Sequence, residues 1–299
     1  MATYKEIKGT NIEVLESDPS NPLDGQVWFN STDNVLRGNV GTPVVAWSTV
    51  NSLNQARTST SGAGIATAAL VVGGYSTTNI ADTESWNGSN WTEVNNLNTA
   101  RSSTGSMGTY TAALTFGGSG SPSYLSNTET WNGSNWTEVN DLNSARRALP
   151  GAGTNTAGLA IGGFEPPGTN KVESWNGTNW TETTDLNTPR YASAGAGIQT
   201  AALLIGGAGG TPKTELWNGS NWTEVNDLNQ GREALMGSGV QTSAVAYGGT
   251  TPAGAATESW NGTNWTEVND LNNGRIRAAS AGATNTSALA SGGVPAPGS

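Results

Sequence analysis

A chain of 299 residues with a net charge of −10 and neither cysteine nor histidine lacks most of the side chains that do chemistry near neutral pH. Disulfides, thiolate nucleophiles and sulfur-bound zinc are excluded, as are the usual general base and the commonest metal ligand; no cofactor is expected. Only 13 residues are basic against 23 acidic, so no cationic stripe addresses nucleic acid.

The first residues, MATYKEIKGTNIEVLES, contain no apolar run of the kind a secretory signal needs. No later stretch approaches the ~18 apolar residues of a membrane helix, so no membrane insertion is expected. Residues 1–33 read as an N-terminal arm with a hairpin, and 34–299 as a repeat array. Strands are expected from Val35 to Val40 and from Val44 to Val50, the second carrying Trp47.

From there the chain keeps a clock. Trp91, Trp136, Trp180, Trp222 and Trp265 are spaced by 45, 44, 42 and 43 residues. Trp47 lies 44 residues before Trp91 and makes a sixth copy of that position. Partner tryptophans Trp86, Trp131, Trp175, Trp217 and Trp260 stand five residues ahead, in the strings WNGSNW and WNGTNW. Glycine pairs recur with the same period, as does an arginine shortly after Leu-Asn: Arg57, Arg101, Arg146, Arg190, Arg232 and Arg275. Periods of 40–50 residues indicate repeat architectures, and this one overrides the two-domain expectation from length.

Within each unit the apolar residues alternate. Leu70 and Val72, Leu114 and Phe116, Leu159 and Ile161 approach a glycine pair with small residues between them, which is a strand pattern. The Asn-Gly string then reads as a hairpin. A four-residue loop would set Trp86 opposite Trp91 and Glu84 opposite Glu93; a two-residue turn would set Trp86 opposite Ser89. The longer loop pairs the indoles on one face, at the cost of facing carboxylates that need a nearby cation. Each unit thus has four strands, a to d, with small residues on a and tryptophan on c and d. That taper suits the wedge of a propeller blade.

The last a–b pair, Arg275 to Gly293, has no c–d hairpin after it, and the N-terminal strands have no a–b pair before them. The expected fold is therefore an all-β, six-bladed propeller with four antiparallel strands per blade, the N-terminal c–d strands closing against the C-terminal a–b strands and leaving no open edge.

A glycine pair, then Glu-x-aromatic-Asn, then Trp, then Arg before the next strand resembles the kelch repeat, over about residues 34 to 293. This chain departs from that pattern in having Trp86-Asn87 and its equivalents where tyrosine is usual. The resemblance implies the fold, and kelch propellers host enzymes, adaptors and lectin-like binders. The segment from Asp24 to Arg37, DGQVWFNSTDNVLR, is similar to short hairpin modules in structural proteins of tailed bacteriophages, marine ones especially.

Catalysis is not expected. The copper-oxidase kelch enzymes need histidine and cysteine. The Ser-x-Asp-x-Gly-x-x-Trp box of sialidases is absent. Facing glutamates could suggest a glycosidase pair, but they recur in every hairpin. Glu84, Glu129, Glu173, Glu215 and Glu258 read as architectural partners of the repeat arginines at one end of each blade, with ligand contact as the other reading. The tryptophans read as core, with sugar platforms as the alternative, and Asn-Trp-Thr and Asn-Gly-Ser/Thr as turn chemistry rather than glycosylation sites.

The two faces differ. The c–d loops barely change between units, whereas the b–c loops and the residue after each repeat arginine diverge. Specificity lives on variable loops of a rigid scaffold, which selects Tyr75, Tyr124, Phe164, Arg147 and Tyr191 as contacts. The expected function is a non-enzymatic virion protein, made in the host cytoplasm, that recognises a host-surface glycan or protein, with the arm binding other virion proteins. An intracellular kelch-type adaptor binding a peptide is the alternative, and a decoration without a ligand a third.

Overall fold

The computed structural model describes residues 13–17, 27–38, 46–250 and 254–297. Contacts divide the chain into two units, 1–45 and 46–299, and each is described by itself.

In the first unit β1 (Glu13–Leu15) runs parallel to β2 (Val27–Asn30), and β3 (Val35–Gly38) returns antiparallel to β2. The Asn30 side chain caps the turn, its Oδ1 accepting from the Thr32 and Asp33 amides at 3.0 Å each.

In the second unit, all regular structure among the described residues is strand. Blade 1 comprises β4 (Ser61–Ile65), β5 (Ala68–Tyr75), β6 (Asn79–Trp86) and β7 (Trp91–Val94). Blade 2 comprises β8 (Gly105–Thr109), β9 (Ala112–Phe116), β10 (Thr128–Trp131) and β11 (Trp136–Val139). Blade 3 has β12 (Gly151–Gly153), β13 (Gly158–Ile161), β14 (Val172–Trp175) and β15 (Trp180–Glu182). Blade 4 has β16 (Ala194–Ile198), β17 (Ala201–Ile205), β18 (Thr214–Trp217) and β19 (Trp222–Val225). Blade 5 has β20 (Met236–Val240), β21 (Ser243–Tyr247), β22 (Thr257–Trp260) and β23 (Trp265–Val268). All five are antiparallel sheets in sequential order.

Then come β24 (Arg275–Ile276), β25 (Ala279–Thr284), β26 (Ser287–Ser291) and β27 (Val294–Pro295), in two two-stranded sheets, β25–β26 and β24–β27. The count of four-stranded blades is therefore five, not six. Residues 35–38, expected as a c strand of the propeller, pair with β2 instead, the partner that the short turn at 31–34 brings next to them. Of the second N-terminal strand, 44 and 45 lie outside the described residues, as do 39 and 40 of the first, and 46–50 form no ladder.

The ring nevertheless has six inner positions. β25 packs between β20 and β4. Backbone bonds close a circle around the axis: Ser103 N–H donates to Ser59, Ala148 to Ser103, Ala192 to Ala148, Ala234 to Ala192, Arg277 to Ala234, and Ser59 back to Arg277, at 2.7–3.1 Å. All six residues hold φ between 51° and 54°, a left-handed conformation that side chains adopt only where surroundings enforce it.

Six hydrophobic clusters occupy the seams. In a typical one, Trp175 and Trp180 of blade 3 pack on Met107, Leu114 and Phe116 of blade 2. The hairpins take the four-residue loop, with Trp86 opposite Trp91 and Glu84 opposite Glu93; the paired indoles lie 5.2 Å apart. Gly88 at φ 93° makes the turn, and Asn87 Oδ1 accepts from the Ser89 and Asn90 amides. Burying one such indole removes roughly 150–250 Å² from water, about 4–6 kcal/mol gross at ~25 cal/mol/Å². In a chain rich in Gly, Ala and Ser this is the main adhesive. Trp47 takes the sixth outer position, its ring 4.7 Å from Tyr247 and its Nε1 donating to Thr257 at 3.2 Å.

Candidate functional site

The repeat arginines meet the repeat glutamates in five buried ion pairs. They are Arg57–Glu84, Arg101–Glu129, Arg146–Glu173, Arg190–Glu215 and Arg232–Glu258. Each glutamate also accepts from the backbone of the connecting segment, as Glu129 does from the Asn98 amide at 2.8 Å. Burial pushes the guanidiniums of Arg57, Arg101, Arg190 and Arg232 below their ordinary range, desolvation outweighing the pull of the carboxylates. With each charge buried and paired, these groups brace the d–a connections. Arg275 differs: it donates to the Gly292 carbonyl at 2.8 Å and has no ion pair among the described residues.

That bracing holds the next residue of each connection in place. In blades 1 to 3 the residue after the arginine bridges the one after the glycine pair: Thr58 with Tyr75, Ser102 with Ser119, Arg147 with Phe164. Glycine is required at the bend, since Gly73 has φ 55° and an added Cβ would lie 2.5 Å from the Arg101 carbonyl. Divergent side chains from two segments are thereby set side by side on the rim of one face.

Four of the five predicted contacts converge there. The Arg147 guanidinium stands over the rings of Tyr124, at 5.3 Å, and Phe164, at 4.9 Å. Phe164 is edge-on to Tyr191 at 4.8 Å and to Tyr124 at 5.9 Å. Blades 2, 3 and 4 thus contribute to one half-buried cluster, with cation–π attraction worth roughly 0.5–2 kcal/mol. Arg147 has no carboxylate partner among the described residues. Tyr75 is not part of the cluster: it is exposed, bridges Thr58, and makes no ring contact among the described residues.

Beside the cluster a cavity of about 420 Å³ lies on the axis, lined by the entries to all six inner strands. Arg147, Tyr191, Glu233 and Arg277 line it together with the hydroxyls of Ser59 and Ser103. Glu233 accepts from the Gly209 amide at 2.9 Å, and Arg277 is exposed. Sequence alone selects Arg147 and Tyr191 as contacts but neither Glu233 nor Arg277. Glu233 directly follows the repeat arginine Arg232, which was the available signal for it; Arg277 stands two after Arg275, at the position that is Ser or Ala in the other units.

The opposite face is self-satisfied. Asn95 Nδ2 donates to the Ser134 carbonyl and to Asn135 Oδ1 of the next blade, and Asn51, Asn140 and Asn226 repeat the bond. These amides latch neighbouring blades, and blade 3 has Thr184 at the same position.

No protein-family model and no curated protein matches the chain. The solved structure of YjhT, a kelch-type propeller, aligns over 84% of this chain and 94% of its own, with a TM-score of 0.69 and 13% sequence identity. The likeness establishes the β-propeller fold.

Proposed function

We propose that the chain is a kelch-like binding protein of a tailed-phage particle, acting without catalysis. It presents its variable face to a host-surface glycan or to another virion protein, and residues 1–33 attach it to the particle. One observation carries the reading: the Tyr124–Arg147–Phe164–Tyr191 cluster at the rim of the axial cavity. Aromatic faces next to a guanidinium without a carboxylate form a platform that stacks on a sugar ring or peptide side chain while donating hydrogen bonds. The phage assignment draws on the similarity of the segment from Asp24 to Arg37 to phage hairpin modules.

Antibodies against residues 119–127 and 164–171 test this on intact particles. They are expected to decorate purified particles and to block adsorption to host cells. Particles whose peptide maps lack the chain would overturn the assignment.

A further inference from the structure

In each four-stranded blade the third strand does three things for its surroundings. It covers the outer edge of the second strand. It gives a carboxylate to the repeat arginine. It, or the residue two before it, also accepts from the leucine amide of the connecting segment: the Leu97 N–H donates to the Ala81 carbonyl, Leu142 to Ser126, Leu186 to Asn170, Leu228 to Pro212 and Leu271 to Ala255, at 2.9–3.0 Å.

At the sixth position the corresponding groups have no such partners among the described residues. β26 is bonded on its inner side to β25 and to nothing on its outer side. Arg275 has no carboxylate, and the Leu53 amide has no acceptor. Ala113 and Ala244 are fully buried under their third strands, whereas Ala288 and Ala290 are half-exposed. Between β26 and the extended segment from Trp47 runs a groove of about 460 Å³, lined by Trp47, Leu53, Trp86, Arg275 and Leu289. A second cavity of about 650 Å³ shares Arg275 and Gly292 and continues it along β27.

We infer that this groove receives one extended strand of another polypeptide, antiparallel to β26, with a carboxylate opposite Ala290 and a large aromatic opposite Ala288. The register comes from the complete blades. Glutamate lies opposite the residue two before the glycine pair and tryptophan opposite the one four before it, as Glu258 opposite Ala246 and Trp260 opposite Ala244. Counting back from Gly292 gives Ala290 and Ala288. A strand there would pair the open backbone edge, neutralise Arg275 and fill the seam with an aromatic. Complementarity points away from the chain itself: at the repeat spacing before Trp47 stand Val40 and Thr42, neither acidic nor aromatic.

The chain's own repeat supplies the probe, a peptide with the sequence NIADTESW of residues 79–86. Added to the full chain, it is expected to bind saturably and to slow amide exchange at Ala288 and Ala290. The same peptide with glutamine at its Glu84 position should bind about tenfold more weakly, the loss of one charge-assisted contact. The Arg275→Met chain should bind both peptides alike. Because the glutamine change is in the probe, the comparison does not depend on a variant folding. The inference is overturned if the two peptides bind the unaltered chain equally, if neither binds, or if Ala288 and Ala290 are already protected in the chain alone, which would mean the chain fills its own groove.

Discussion

Trp222 and Val172 share one hydrophobic seam, and the indole N–H of Trp222 has no hydrogen-bond partner there. In three other blades the same indole donates to a threonine of the third strand of the preceding blade, Trp136 to Thr83, Trp180 to Thr128 and Trp265 to Thr214, and in blade 1 Trp91 donates to the Asn51 carbonyl. Valine at 172 has the threonine shape without the oxygen. Leaving a buried donor unpaired costs about 1–3 kcal/mol. Val172→Thr is expected to stabilise the chain by about 1 kcal/mol in urea unfolding, and Thr214→Val to destabilise it by about 1–3 kcal/mol. A Val172→Thr protein no more stable than the parent would contradict this.

Arg101 and Glu129 are 0% and 1% exposed and 2.7 Å apart. Removing one charge strands the other, so Arg101→Met should cost about 3–5 kcal/mol. Adding Glu129→Leu should restore part of the loss, since desolvation already outweighs the pair's attraction at Arg101. It cannot restore all, because Asn98 donates to Glu129 from both its amide and its side chain. The solvent-screened pair Lys213–Glu224 should contribute far less than the buried one. A double-mutant cycle in denaturant measures each term.

Tyr247 is fully buried, its hydroxyl within hydrogen-bonding distance of Ser238 and of the Leu289 carbonyl. Burial raises its pKa above the ordinary value. In the unfolded chain the phenol ionises above pH ~10, while in the folded chain it keeps its proton. Its stabilising share is therefore intact below pH ~10 and is lost as the pH rises beyond, by up to about 1.4 kcal/mol per pH unit. Tyr247→Phe should remove that part of the slope. Urea midpoints for both proteins between pH 9 and 11 check it, and parallel curves would refute it.

Much of this was legible because the repeat states its geometry five times. Asn-Gly between two tryptophans announces the hairpin and its register, and glutamates facing one another demand the arginine that arrives on the same clock. Divergent residues after an invariant arginine announced the rim where Arg147 and Tyr191 meet. Less was legible where meaning depends on a partner far along the chain. Val172 looks like any strand valine until Trp222 is placed against it. Nothing in Val35 to Gly38 says whether β2 or a propeller edge will be their partner, and they pair with β2. Ser59, Ala148 and Ala192 give no sign of a left-handed backbone, because the circle of bonds that enforces it is closed only by all six segments together.

The account rests on recognition by the variable face, and a glycan array probed with the full chain and three variants tests that most directly. Arg147→Met and Tyr191→Ala change the rim cluster, and Ser134→Ala changes an invariant loop on the other face. The account predicts a signal that falls at least about tenfold, or 1.4 kcal/mol, with either rim variant and is unchanged by Ser134→Ala. A signal that survives both rim changes and is lost with Ser134→Ala would place recognition on the opposite face and contradict it.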